Sequence, residues 1–259
     1  MDALYIYKHS EQDDFEIRHS LRSLEQFVPY IRKVWIFGDK PRFMTDDRSL
    51  IEHVPHEATA AILGAQLPVT NFFLLIVLSS LIPDLFFEYL LFSDDFFLLK
   101  DYPIEEACKN RYIEDMSLSP IRRRGLFLDA LWRTYDVLNR LGYRGYNFET
   151  HTPTYLTRKW VINAYRDLKD HVTQDRWNGL LGPTGILNHA YRQEKITLTN
   201  LLEENSRCGF WGTPPPYEQV LRESAGKTFF NFDDDAFGDG IRRFLTERFP
   251  GRSRYEKDE

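Results

Sequence analysis

Short apolar runs alternate along the chain with apolar positions at helical spacing, and this alternation predicts a layered α/β protein. Residues 3–7 form a first apolar run and predict a strand, and the polar residues 9–14 predict a loop. From 15 to 27, apolar side chains recur at Ile17, Leu21, Leu24 and Phe27, the spacing of one helical face, and Pro29 follows to end the helix. Residues 34–37 predict a second strand, closed by Gly38-Asp39, and 50–53 a third. An almost wholly apolar helix is predicted over 71–81, too short to span a bilayer and therefore a core helix. Residues 86–92 then predict a buried strand, interrupted only by Glu88. Strands and helices in this alternation are the pattern of a sheet with parallel strands.

Beyond residue 100 the character changes. A helix is predicted over 126–141, stopped by Gly142 and Gly145. Residues 148–154 read as extended around Pro153, 159–169 as helical, and 178–185 as a loop broken by glycine and proline. Thr213-Pro214-Pro215-Pro216 is a stiff connector, and 232–235 lead into a last helix over 241–248 and a charged tail. The chain holds no internal repeat.

Composition narrows the class without naming it. The 259 residues suffice for one large α/β domain, and 28% charged with 42% hydrophobic residues is ordinary for a globular enzyme. Aromatics at 15% suit sugar or base stacking as well as core packing. A net charge of -6 weighs against an obligate nucleic-acid binder, although a local basic face acts regardless of the total. Cys108 and Cys208 have no metal spacing and suggest no disulfide framework, so a reducing cytoplasmic compartment is the expectation, with no transmembrane segment.

The most informative residues are Ser93-Asp94-Asp95, at the end of the apolar run and before Phe96-Phe97-Leu98-Leu99. Two adjacent carboxylates are costly to bury unpaired. At the C-terminal end of a strand they point into the crevice where open α/β sheets bind ligands, and a hard divalent cation with bound phosphate offsets their repulsion. The alternative is a surface turn. Arg18 and Arg22 share one helical face and suit a diphosphate, or a solvated face near Glu25. Asp39, at the end of the second strand, is a candidate for a nucleotide hydrogen bond or an ordinary Gly-Asp turn. Asp233-Asp234-Asp235 is a second acidic cluster, a source of a base at Asp234, of an additional ligand, or a helix cap. The basic concentrations, Arg122 to Arg124 with Arg242, Arg243, Arg252 and Arg254, suit an anionic acceptor or are solvated faces.

Several separated blocks carry a family resemblance: Leu21-Arg22-Ser23-Leu24, Ile36-Phe37-Gly38-Asp39-Lys40-Pro41, Phe92-Ser93-Asp94-Asp95-Phe96-Phe97, Glu149-Thr150-His151-Thr152-Pro153, and the ending from Phe249 to Glu256. Together they resemble bacterial and phage glycosyltransferase-like proteins related to the Stealth capsular sugar-phosphotransferases. The resemblance implies a GT-A, Rossmann-like fold: a mixed, mostly parallel sheet flanked by helices, with a C-terminal α-rich acceptor-side region. Residues 1–100 would hold the donor and 101–259 the acceptor side. It implies a metal-dependent glycosyltransferase using a nucleotide-diphosphate sugar, a UDP-sugar in the first instance, with Mn²⁺ or Mg²⁺ at Asp94 and Asp95. His151 would complete the metal shell or touch the diphosphate. Glu149, two residues away on the same side of an extended chain, is the first candidate for a general base, with a salt bridge to an arginine as the alternative. His189 is a weaker rival. Tyr5 joins Arg18, Arg22, Asp39 and Asp94 in the expected donor-binding set. The acceptor would be a surface glycan or a hydroxymethylated base in DNA. Where Stealth proteins open with a Trp-Val-Asp-Gly element, this chain has Tyr5-Ile6-Tyr7-Lys8-His9, which favours transfer of the sugar without its phosphate. A binding module without turnover is the non-enzymatic alternative.

Overall fold

The structure is a computed structural model describing residues 1–10, 12–119 and 121–258; residue 11, in the predicted loop, lies outside them. Ten strands and ten α-helices follow one another among the described residues. β1 (Asp2–Tyr7), α1 (Phe15–Phe27), β2 (Val34–Gly38), β3 (Ile51–Val54), α2 (Glu57–Ala60), α3 (Phe72–Ser79) and β4 (Glu88–Phe92) make the first layer. β5 (Phe97–Leu98), α4 (Ile104–Ala107), β6 (Asn110–Tyr112), α5 (Leu126–Arg140), β7 (Thr154–Thr157) and α6 (Arg158–Leu168) follow. α7 (Gly182–Glu194), β8 (Leu198–Asn200), α8 (Leu201–Glu204), β9 (Arg207–Phe210), α9 (Tyr217–Ser224), β10 (Phe229–Phe232) and α10 (Asp239–Arg248) complete the chain.

The central sheet has the order β3-β2-β1-β4-β7. Its first four strands are parallel, while β7 runs antiparallel to β4, pairing Leu91 with Thr154. The predicted extended segment is therefore shifted: residues 148–153 precede the strand, and the strand itself begins at Thr154. A smaller sheet, β5-β10-β9, continues beyond β4, and β6 pairs with β8. One cluster of buried side chains draws on residues from Ala3 to Tyr255.

Burial explains the main departures from the sequence pattern. The strand predicted from 86 begins at Glu88, and Phe87 is 58% exposed rather than buried. The loop predicted over 178–185 is in part helix: α7 starts at Gly182, with a proline in its first turn. A Cβ at Gly182 would lie 2.7 Å from Ile76, and one at Gly185 2.7 Å from Phe73. These glycines let α7 approach α3 closely, so they serve packing rather than a turn. The helix α3 is buried all round, as its composition requires, and Asn71 caps it by accepting the Leu74 N–H.

Candidate active site

The parallel strands bring their C-terminal ends to one edge. Tyr7 pairs with Gly38, and Tyr5 with Phe92, so the chain leaves β1, β2 and β4 side by side. Gly38 has φ 126, and a Cβ there would lie 2.1 Å from the Tyr7 carbonyl, so the turn carrying Asp39 requires glycine. Past β4 the chain turns at Ser93, whose carbonyl accepts the Phe96 N–H, and Asp94 and Asp95 occupy that turn, partly buried. α1 anchors it: the Ser20 hydroxyl donates to the Phe96 carbonyl, and Ser23 accepts the Leu98 N–H.

The electrostatics of this edge are those of crowded acids. Burial, then Asp234 and Asp14, push the Asp94 carboxyl up to about 6, against the pull of backbone N–H groups in the turn. Burial and the charge of Asp94, with Glu16 and Asp234 behind it, hold Asp95 well above the usual carboxylate range. Glu16, in the first turn of α1, rises to about 8 through burial and the charges of Asp94 and Asp234, opposed by Arg242. Among the described residues none of Glu16, Asp94, Asp95 and Asp234 has an ion-pair partner within 4.0 Å.

Hard carboxylate oxygens fit Mg²⁺ or Mn²⁺ in kind. In number they do not close a shell: among the described residues no three His, Cys, Asp or Glu side chains stand in metal-holding reach of each other. The expected set of Asp94, Asp95 and His151 is thus not a closed triad. One or two carboxylates would suit only a cation that takes most of its ligands from outside the protein.

The tertiary structure nevertheless gathers several expected residues around the turn. The ring of His151 lies 6.2 Å from that of Phe96 and 6.5 Å from that of Trp211. His151 has φ 50, and burial together with nearby Arg207 lowers its imidazole to about 4, so it is neutral at pH 7. Arg207, at the start of β9, donates to the Thr150 carbonyl and lies 5.2 Å from the Trp211 ring. Among the described residues it has no carboxylate partner. Asp233 accepts the N–H groups of Gly212 and Ala236 and so shapes the loop after β10. Asp234 is exposed beside Asp94 and Asp95. The acidic run does not cap α10, which begins at Asp239.

Other expected residues have different partners. Tyr5 is completely buried; its hydroxyl bonds with Ser20 at 3.0 Å and its ring stacks 4.9 Å from Phe92, so it packs beneath the turn rather than opening to the crevice. Arg22 forks onto Glu256 through two bonds of 2.8 Å and donates to the Phe249 carbonyl, tying down the C-terminal segment. Arg18 stands 3.8 Å from Glu256, over the Phe43 ring, and is partly exposed. Asp39 accepts the His9 N–H at 2.8 Å. Glu149 accepts the Thr184 N–H at the N-terminus of α7; burial raises its carboxyl and that bond opposes the rise. It forms no salt bridge among the described residues. His189 is buried and bonded to Asp167 at 2.9 Å. The arginine runs are largely surface ion pairs: Arg122 with Asp136, Arg124 with Asp129, Arg243 with Glu247, Arg252 with Asp258 and Arg254 with Glu25.

Three residues at this edge escape the sequence reading. Asp14 is buried with φ 59; it accepts the Tyr7 hydroxyl, His9 and the Arg42 N–H. Burial pushes its carboxyl up, but those bonds outweigh it and hold Asp14 below the usual range. Glu16 and Arg207 are the other two. An acid in a first helical turn reads as a dipole partner, which hides Glu16, and nothing local marks Arg207.

No family model matches the chain. A capsular polysaccharide phosphotransferase of Neisseria meningitidis serogroup B is 23% identical over 171 residues, 63% of this chain and 43% of that protein, so the chain spans less than half the length of this relative. Among solved structures, the galactosyltransferase LgtC, crystallised with donor and acceptor sugar analogues, superposes with a TM-score of 0.51 at 13% identity, over 98% of this chain and 96% of its own. Mouse xyloside xylosyltransferase 1 aligns with a TM-score of 0.45 at 10% identity, over 92% of this chain and 99% of its own. The chain has the mixed, mostly parallel sheet of the GT-A glycosyltransferase fold and, in sequence, resembles the Stealth capsular polysaccharide phosphotransferases.

Proposed function

We propose that the protein is a metal-dependent glycosyltransferase that moves a sugar from a nucleotide-diphosphate sugar to a hydroxyl acceptor. The observation that carries this reading is the group of Asp94, Asp95, Glu16 and Asp234 at the C-terminal edge of the sheet, crowded enough to raise three of their carboxyls and without an ion-pair partner among the described residues. A bound divalent cation supplies charge neutralisation for the departing diphosphate. Asp94 and Asp95 hold that charge in place. His151, neutral at pH 7, and the half-buried guanidinium of Arg207 face the diphosphate, joined from α1 by Arg18. Asp234, exposed beside the acid pair, is better placed than Glu149 to take the acceptor's proton, because Glu149 is already bonded to the end of α7. In this reading residues 1–100 bind the donor, a UDP-sugar being the first to test, and 101–259 shape the acceptor side.

The likeness to a capsular polysaccharide phosphotransferase favours one second reading, transfer of the sugar with its phosphate. Nucleotide release from a panel of nucleotide sugars, with Mn²⁺ or with EDTA, tests the first. Release from one donor, dependent on Mn²⁺ and lost in Asp94→Asn and Asp95→Asn, is expected. Release that persists in EDTA or in both variants overturns the metal assignment. The mass of the product decides whether phosphate travels with the sugar.

A further inference from the structure

A cavity lies away from the acid turn. It has a volume of about 830 Å³ and opens where the end of α5, the 142–146 loop, and the end of α7 meet. Tyr112, Tyr135, Tyr143, Tyr146 and Tyr191 line it. Its cations are Arg144, Arg192 and Lys195, and its lining contains no carboxylate. Arg192 donates to the Leu141 carbonyl and covers the Tyr143 ring at 4.7 Å. None of the three cations has an ion-pair partner among the described residues, whereas the arginines of the 122–124 run that pair do so with aspartates. On a chain of net charge -6, a cavity lined by three cations without ion-pair partners stands out, with Asp115 behind its wall accepting the Ser117 hydroxyl and Asp167 near Tyr143.

We propose that this cavity binds a segment of anionic oligosaccharide. The cations meet carboxylate or phosphate groups on the sugar, as charge-assisted bonds of Arg and Lys do. The tyrosines are packed against one another, Tyr112 with Tyr146 at 4.8 Å and Tyr146 edge-on to Tyr191 at 87°. One face of Tyr143 is already covered by Arg192. This arrangement offers ring edges and hydroxyls, with Asn139 and Ser117, to a hydroxyl-rich ligand rather than a row of open faces for stacked bases. The helix α7 links the two sites: its N-terminus meets Glu149, two residues from His151, and its last turn carries Arg192. The eight residue steps of helix from Thr184 to Arg192 put those two contacts about 12 Å apart along the axis. The site suits a polymer that also reaches the acid turn. That assignment to the acceptor rests on the transferase reading; the binding itself does not.

Fluorescence anisotropy on the full chain tests it. The probes are a labelled oligogalacturonate, pentamannosyl phosphate, the methyl-esterified galacturonate and oligothymidylate. Binding of either anionic saccharide and not of the ester is expected, the better probe identifying which anion the cations meet. Arg144→Gln/Lys195→Gln, at two exposed positions, is expected to weaken it by about tenfold or more, from the usual strength of charge-assisted bonds. Asp94→Asn is expected to leave it unchanged. Failure of both anionic probes, equal binding of the ester, an unaffected double variant, or tighter binding of oligothymidylate overturns the proposal. Loss of donor turnover in Asp94→Asn with this binding intact separates the two sites.

Discussion

At the N-terminal edge of the central sheet, Asp2 is fully buried and fully answered. Arg32 forks onto it at 2.9 and 2.7 Å, and the Trp35 indole and the Phe86 N–H complete its bonds. Nearby, Lys33 meets Glu52 at 2.7 Å. At the C-terminal edge of the same strands, Asp94, Asp95 and Glu16 face each other's charge, and Arg242, which opposes the rise of Glu16, lies over the rings of Phe15 and Phe237. The same residue type thus serves opposite ends: one edge is closed by ion pairs, the other crowds carboxylates that have no ion-pair partner among the described residues. Buried charge left unanswered costs stability, so an edge that keeps it is where binding or chemistry is to be sought.

Loss of one carboxylate is expected to act in opposite ways at the two edges. Asp95→Asn is expected to lower donor turnover by about 10²–10³-fold, the usual loss when a charge-stabilising group is removed, while urea unfolding at pH 7.5 shows no loss of stability. A variant that unfolds more readily and keeps its turnover would make the acid turn a structural element. Asp2→Asn is expected to do the reverse, costing about 2 kcal/mol in urea unfolding because Arg32 and buried donors lose their charged partner, with turnover per folded molecule unchanged.

At about ten times its Kd, Mn²⁺ is expected to stabilise the chain by about 1.4 kcal/mol, read as a thermal shift at pH 7.5. Protons compete for the same oxygens, and with Asp94 at about 6 the shift is expected to shrink as pH falls below that value. A shift that is the same at pH 5 and 7.5, or that survives Asp94→Asn and Asp95→Asn together, would place the cation elsewhere.

The smallest effect concerns Glu16. Its folded-state carboxyl stands at about 8, above the ordinary glutamate range. Between those two values the folded chain holds a proton that the unfolded chain has released, so stability falls as pH rises through this window and is level above it. Glu16→Gln removes that dependence. Its advantage is expected to grow with pH up to about 8 and to reach about 1 kcal/mol there, a linkage effect discounted for partial relaxation. An advantage that does not change with pH would mean that Glu16 is not crowded by Asp94 and Asp234.

Much of the first layer was legible because its signals are local. The apolar positions of α1 run with the 3.6 period, and its observed bounds, Phe15–Phe27, match the prediction. The runs at 34–37 and 50–53 are strands within a residue or two of their expected limits. The acid pair could be placed after a strand because Glu88–Phe92 is a short apolar run with polar residues beyond it. The second half was harder to read. Gly182 and Gly185 look like loop residues until α3 is seen against them, and the antiparallel direction of β7 leaves no mark in its four residues.

The sequence by itself determined the longer strands and helices of the first layer, though not the short α2, and where two adjacent carboxylates leave a strand, since hydrophobic period and chain order are properties of neighbouring residues. Only the tertiary structure decided who meets those carboxylates. Glu16 and Asp234 are 218 positions apart in the sequence, and both raise the charge around Asp94 and Asp95. Arg22 and Glu256 are 234 positions apart and form one ion pair, which takes Arg22 out of the expected phosphate set. Tyr5 is removed from it by burial. Charge and desolvation act through space and depend on distance and burial, which no local pattern encodes.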